Sequence, residues 1–353
     1  MTVHTAKGTT LLTGGTGFVG SAVARKLLAR GHKVRVLTRP QSDLTNLQGL
    51  DVEVVHGDLS SQAGLPESVF ESVGGLFHVA ADYRLWVPNP EAMMEANVAG
   101  TERLMRQAQA AGVGRIVYCS SVAALATAHD GVPAKESDPI SEDKVVGAYK
   151  KSKYRAERAV LRMAREEGLP AVVVNPSTPI GPRDIKPTPT GKMIWDCMRG
   201  RMPAYVDTGL NVVHVDDVAE GHLLAFEKGR VGENYILGGQ NIWLRDLFAM
   251  IASMVGRPAP KVRLPRWALY PLALGCEGAA HAFGIQPMVT REMLAMSRKL
   301  MFFTSRKAYD ELGYRPRTAQ AAVAAAVQAF AAQGGMALPS SGAKPTGAGR
   351  QAD

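Results

Sequence analysis

Short apolar runs alternate with amphipathic stretches through the first half of the chain. Thr10–Thr13, Lys33–Leu37, Val52–His56, Leu76–Val79, Arg115–Ser120 and Ala171–Asn175 read as strands, and Phe18–Arg30, Met93–Ala111 and Ala148–Glu167 between them read as helices. Strands joined through helices run parallel, because each connection must cross back over a face of the sheet. The alternation therefore predicts an α/β fold, a doubly wound parallel sheet of Rossmann type covered by helices on both faces. Ligands of such sheets bind beyond the carboxyl ends of the strands.

After Asn175 the pattern turns irregular. Prolines at 176, 179, 182, 187, 189 and 203 mark extended loops that are expected to build the substrate side. His214-Val215-Asp216-Asp217-Val218-Ala219 then opens a helix whose aspartates suit its first turn. From Leu244 the chain is mostly helical, ending in an alanine-rich helix around Ala319–Gln333. The expected division is a dinucleotide-binding part from residues 1–175 and about 211–240, and a smaller, mostly helical substrate part from about 176–210 and 241–333. Residues 334–353, rich in Gly, Pro, Ser and Ala, are expected to form a disordered tail.

Composition narrows the class. With 353 residues, 46% of them hydrophobic, a main domain with a smaller companion is expected. The polar stretch from Met1 to Thr10 lacks the zones of a signal peptide, and Cys119, Cys197 and Cys276 are scattered, so a cytoplasmic protein with free thiols and no metal site is expected. The net charge of +9 fits a solvated basic exterior better than a nucleic-acid partner, and also leaves room for an anionic cofactor or an acidic membrane surface. No apolar run is long enough for a transmembrane segment. Trp267–Ile285, broken by Pro271, Glu277 and His281, reads as a buried helix, with a substrate lid or a peripheral membrane contact as alternatives.

The candidate chemistry begins at Thr13-Gly14-Gly15-Thr16-Gly17-Phe18-Val19-Gly20. Glycines between a strand and a helix permit a tight turn and close approach of a pyrophosphate, whose charge meets the helix N-terminus. At the end of the second strand, where an acidic residue would select NAD, the chain has Thr38-Arg39-Pro40, with Ser42 nearby. A guanidinium fork suits a 2′-phosphate, so NADP(H) is expected over NAD(H), the bland alternative being a surface arginine. Asp58, in Gly57-Asp58-Leu59, can accept from an adenine amino group. Tyr149 and Lys153 stand four residues apart, which places an ammonium beside a phenol on one helix face. A nearby positive charge lowers a phenol's pKa from about 10 towards the range of acid–base catalysis. His78 and His214, beside apolar strand ends, read as packing or capping residues, and the arginines and lysines after Tyr149 as a solvated face.

Taken together, these residues resemble an extended short-chain dehydrogenase/reductase. The match runs through Thr13–Gly20, Gly57-Asp58-Leu59, His78-Val79-Ala80-Ala81, Asn97–Thr101, Ser120-Ser121, Tyr149–Lys153, Asn175-Pro176 and His214–Ala219. Within that family the chain resembles the dihydroflavonol 4-reductase-like branch, and most of all the bacterial hopanoid-associated sugar epimerase group, through His78–Trp86, Asn175–Pro182, Asp184–Gly191 and Met202–Gly209. The resemblance implies that Tyr149 is the acid/base, Lys153 holds the nicotinamide ribose, and Ser121 hydrogen-bonds the substrate oxygen. It implies that Asn97 positions the helix or a water, that Ala80 and Ala81 leave room beside the cofactor, and that Pro176 to Thr178 pass near the nicotinamide amide. Asp82, Tyr83, Arg84 and Trp86, with Lys186, Thr188 and Tyr205, are the candidate substrate contacts. They suit a sugar, a polyol or a polycyclic, isoprenoid-linked carbonyl as the small-molecule substrate. Reduction, epimerisation with retained NAD and a non-catalytic dinucleotide-binding scaffold stay open here, as does a homodimer.

Overall fold

The computed structural model describes residues 8–82, 90–283 and 290–339. Its centre is a seven-stranded, all-parallel sheet of β1 (Thr9–Thr13), β2 (Lys33–Thr38), β3 (Val52–His56), β4 (Val73–His78), β5 (Arg115–Cys119), β6 (Ala171–Pro176) and β10 (Asn234–Leu237). The strand order is β10-β6-β5-β4-β1-β2-β3. β7 (Thr178–Ile180), β9 (Gly209–His214) and β11 (Gln240–Trp243) form a second, three-stranded sheet, and β8 (Ala204–Tyr205) pairs with β12 (Val262–Arg263).

The central strands alternate their side chains between two apolar layers. Leu12, Phe77, Val117, Val172 and Val174 face one cluster, shared with α1 (Phe18–Ala29) and α6 (Val215–Lys228). Leu11, Leu76, Ile116, Ala171 and Val173 face the other, under α3 (Gly100–Ala110) and α4 (Ala148–Glu166). Burial on both faces is why these strands read as continuous apolar runs rather than alternating ones. The doubly wound sheet is thus as expected.

Between α2 (Pro90–Met94) and α3 the helix widens into a π turn over Glu95–Ala99, where the sequence pattern suggests one unbroken helix. The turn carries Asn97 inwards, where it is buried. The second half also departs from expectation in part. Helix α6 and β10 rejoin the main sheet, but β9, placed at the start of the returning segment, belongs to the small sheet instead. That sheet lies with α5 (Pro189–Met198), α7 (Leu244–Met254) and α11 (Ala319–Gln333) around a third apolar cluster. Helices α8 (Arg266–Phe283), α9 (Arg291–Met296) and α10 (Arg306–Leu312) complete the mostly helical C-terminal part. Within the expected tail, Met336 and Leu338 are partly buried against the third cluster, while Gly334, Gly335, Ala337 and Pro339 are exposed; residues 340–353 lie outside the described residues.

The sheet and α1 meet at one contact that no side chain can share. A Cβ at Gly20 would lie 2.0 Å from the Gly14 carbonyl oxygen, so α1 can start where it does only with glycine there. Gly31, at φ +77°, has open space around the same position. Gly20→Ala is therefore expected to cost about 3 kcal/mol through forced backbone movement, against about 1 kcal/mol for Gly31→Ala. Urea unfolding of both variants measures the difference, and equal losses would mean that the close approach is not needed.

Candidate active site

The crevice lies where the strand order reverses. β1 and β4 are neighbours, but α1 follows β1 on one face of the sheet and α3 follows β4 on the other. Gly14, at φ +72°, turns the chain beside Ala80; a Cβ on it would stand 2.6 Å from the Ala80 nitrogen. The Gly17 amide donates to the Gly14 carbonyl at 3.0 Å, and Gly17 then opens α1 with no side-chain cap. The first-turn amides of Phe18, Val19 and Gly20 therefore face outwards at the positive end of the helix dipole. A bare glycine cradle with free amide donors fits the pyrophosphate of a dinucleotide. Thr16 is held in place by its carbonyl, which accepts from Asn46 Nδ2 at 3.1 Å.

The adenosine side is more open. Arg39 is exposed at the end of β2, and its guanidinium has no hydrogen-bond or ion-pair partner among the described residues. Asp58 is exposed and accepts from the Ser60 amide at 2.9 Å and the Ser60 hydroxyl at 2.8 Å, which holds its carboxyl below the usual carboxylate range. Leu59 offers its carbonyl to Arg103 at 3.2 Å and lies against Gly100, where a Cβ would be 2.6 Å away. Ala80 and Ala81 are half-buried at the crevice, Pro176 ends β6 inside the protein, and Thr178 begins β7.

Across the crevice, Ser121 leaves β5 in an extended conformation, and its Oγ accepts from the Ala123 amide at 3.1 Å. Tyr149 stands in the first turn of α4 against Ser121, and Lys153 follows one turn later, buried. The Lys153 ammonium donates to the Cys119 carbonyl at 2.9 Å and sits 5.3 Å from the Tyr118 ring centroid. Burial pushes the Tyr149 phenol up to about 12, with hydrogen bonding to Ser121 pulling the other way. The Lys153 ammonium is turned towards the Cys119 carbonyl, and Tyr149 itself is half-buried. Burial also lowers the Lys153 pKa, opposed by Cys119 and by Glu157 on the next turn of α4. Glu157 is buried and accepts from Asn175 Nδ2 at 2.6 Å and Asn234 Nδ2 at 3.2 Å, while burial raises its pKa.

A chain of hydrogen bonds links the two sides. The Ala80 amide donates to Thr13 Oγ1 at 3.1 Å, and Thr13 Oγ1 is 2.7 Å from His78 Nδ1. His78 Nε2 is 3.0 Å from Thr101 Oγ1, which donates to the Asn97 carbonyl at 2.8 Å. Since Thr101 spends its proton on that carbonyl, His78 must carry its own on Nε2 and accept from Thr13 at Nδ1. Asn97 Nδ2 donates to the Asp82 carbonyl at 2.8 Å and to Ser152 Oγ at 2.9 Å, and Ser152 donates to the Tyr149 carbonyl at 2.7 Å. Burial accordingly keeps His78 neutral, with its pKa lowered to about 3.

The candidate substrate contacts scatter. Asp82 is tied at its backbone to Asn97 beside the crevice. Lys186 is exposed and reaches 3.8 Å from Asp43, on the loop that follows Arg39, so it stands on the adenosine side instead. Thr188 caps α5 through the Gly191 amide at 3.1 Å and donates to Asp184 at 2.8 Å, and Tyr205 packs with the third cluster. Hydroxyl and ring groups in proline-rich loops serve caps and packing as readily as ligands. Tyr83, Arg84 and Trp86 lie outside the described residues. Conversely, the sequence pattern missed Asn46, which bridges the carbonyls of Thr16 and Arg183, and Glu157 beneath Lys153. An i+4 spacing from Lys153 was the available signal for Glu157; none marks Asn46.

Residues 10–238 match the model of the NAD dependent epimerase/dehydratase family. The chain belongs to this family. Its members of the extended short-chain dehydrogenase/reductase type work with a nicotinamide dinucleotide, and the chain is a reductase, dehydrogenase or epimerase of that type. It is 45% identical to a candidate dihydroflavonol 4-reductase of Synechocystis sp., over 90% of this chain and 93% of that protein. It is 33% identical to sterol demethylase protein B of Methylococcus capsulatus, over 92% and 99% of the two chains. Among solved structures, gox2253 superimposes with a TM-score of 0.84 at 61% identity, covering 93% of this chain and 99% of the other.

A neutral buried His78 has a consequence for this family member's stability. The stabilisation is complete above the ordinary histidine pKa near 6.5 and is lost as pH falls towards about 3, at up to about 1.4 kcal/mol per pH unit. His222, lowered to about 4 by burial, acts in the same direction. Urea unfolding from neutral to mildly acidic pH should show His78→Gln losing less stability than the parent, by close to one proton in slope. An unchanged slope would show that His78 is not the buried neutral group described.

Proposed function

We propose that the protein is an NADPH-dependent reductase that converts a carbonyl on a bulky, largely apolar small molecule to the hydroxyl. The observation that carries this reading is the placement of Tyr149 against Ser121, with Lys153 one turn further along α4. A phenol that keeps its proton at neutral pH, beside a hydroxyl that can hold the substrate oxygen, is placed to give that proton to a carbonyl under reduction. Ser121, against Tyr149, would hold the substrate oxygen and stabilise the charge that develops on it. Lys153 would bind the nicotinamide ribose and supply the positive charge that eases release of the phenolic proton. Bound nicotinamide supplies the hydride.

The cofactor residues follow the crevice. Gly14 and Thr16 to Gly20 would take the pyrophosphate, Asp58 and Leu59 the adenine, Ala80 and Ala81 the space beside the ribose, and Asn97 would fix the geometry of α4. Pro176 and Thr178 would border the nicotinamide amide. Arg39, exposed and unpaired among the described residues, supports a 2′-phosphate and hence NADPH. The names of the Synechocystis and Methylococcus relatives favour reduction and a polycyclic substrate over a retained-NAD sugar epimerase.

The test is to follow NADPH absorbance with a panel of polycyclic and isoprenoid-linked ketones, and with nucleotide sugars as the contrast. Stoichiometric NADPH consumption on a ketone supports the reading; interconversion of sugars with no net absorbance change overturns it. Tyr149→Phe should lower kcat by roughly a hundredfold or more while NADPH binding stays nearly unchanged. Arg39→Glu should raise the Kd for NADPH by about tenfold or more with little effect on NADH. Equal effects on the two cofactors would remove the 2′-phosphate assignment.

A further inference from the structure

Helix α8 is amphipathic the wrong way round for water. Among its described side chains the buried ones are Ala273 and Ala280 and Leu269 is half-buried, whereas Trp267 is 78% exposed, Tyr270 49%, Leu272 50% and Leu274 46%. Trp267, Tyr270 and Leu274 follow the i, i+3, i+7 spacing of one helix face, and from Trp267 to Cys276 no residue is charged. A contiguous exposed apolar face of this kind marks an interaction surface rather than ordinary exposure. The expectation of a buried helix is therefore wrong for its outer face, because the bulky residues fall on the side away from the protein.

Its surroundings select the partner. Residues 257–299 carry seven lysines and arginines against two glutamates, a net +5 within a chain of +9. Lys261 and Arg298 have no ion-pair partner among the described residues, whereas Arg263 and Arg291 pair with Asp207 and Glu277. Two copies docking through this face would bring like charges together. An anionic lipid surface answers both halves of it, with apolar groups entering the acyl boundary and basic groups meeting the headgroups. No described helix is long and apolar enough to cross a membrane, so the contact this face can make is superficial.

The face also rims an opening. An open cleft of about 940 Å³ between α8 and α9 is lined by Trp267, Tyr270, Leu294 and Val146 and by the charged Arg266, Glu277, Arg291 and Arg298. Val146 and Ala295 also line a smaller hollow with Ala123, Leu125 and Lys150, neighbours in sequence of Ser121 and Tyr149. We propose that α8 docks the protein on anionic lipid bilayers, turning the mouth of this cleft towards the membrane. This goes beyond the reductase reading and does not require it.

The experiment uses the full chain with vesicles of phosphatidylcholine alone and of phosphatidylcholine containing phosphatidylglycerol, read by flotation and by tryptophan emission. The protein should float with the anionic vesicles about tenfold more strongly than with the neutral ones, with a blue shift of emission. Leu272→Glu combined with Leu274→Glu should reduce that binding by about tenfold or more, with NADPH binding retained as the sign of an intact fold. Should that variant fail to fold, Lys261→Glu reads the same surface and should weaken the preference for anionic vesicles. Absence of flotation overturns the proposal, as does equal binding by the variants. A self-associated parent that the double variant dissolves, without vesicle binding, would instead make α8 a contact between copies. None of these readouts depends on turnover, so they separate from any failure of the reductase reading.

Discussion

A cation buried at the end of a parallel sheet has to be satisfied by protein groups, and much of the candidate site is arranged round that requirement. Lys153 lies out of reach of bulk water, so its charge is met by the Cys119 carbonyl, by the face of Tyr118 and by Glu157 one turn below. Glu157 in turn needs donors, and Asn175 from β6 and Asn234 from β10 provide them. Two neighbouring strands are thereby tied to the helix that carries Tyr149. Removing the carboxylate would leave a buried ammonium short of its counter-charge.

The same dryness governs the neutral groups. His78 stands between the threonines of β1 and α3 and is kept uncharged, because a proton there would be stranded without water. The directional hydrogen bonds on either side run from the turn at Ala80 to the first turn of α4. The cofactor crevice and the acid are therefore positioned by one connected set of polar groups, rather than by two loops held independently. The π turn has its place in this: it carries Asn97, which meets both Asp82 and Ser152.

How much of this was legible depended on how local its cause is. The six strands from β1 to β6 and the helices between them follow from apolar runs and their spacing, and β3 and α11 keep the bounds read from the pattern. The glycine turn was legible because steric room is a property of the residue itself. The small sheet was not: β7, β9 and β11 are three to six residues long and acquire their meaning from partners far away in the chain. The proline-rich segment brings Lys186 towards Asp43 and Thr188 to the cap of α5, contacts that no local spacing marks. Sequence spacing places Lys153 one turn of α4 beyond Tyr149, but the burial of that turn is a tertiary property that spacing does not reveal.

The central claim is that burial holds Tyr149 as a protonated donor. Ultraviolet difference titration of tyrosinate, taken as the parent minus Tyr149→Phe in the absence of cofactor, addresses it without knowledge of the substrate. The account predicts no Tyr149 phenolate until pH rises well beyond about 10, the ordinary phenol value. A Tyr149 phenolate already present near neutral pH would contradict it.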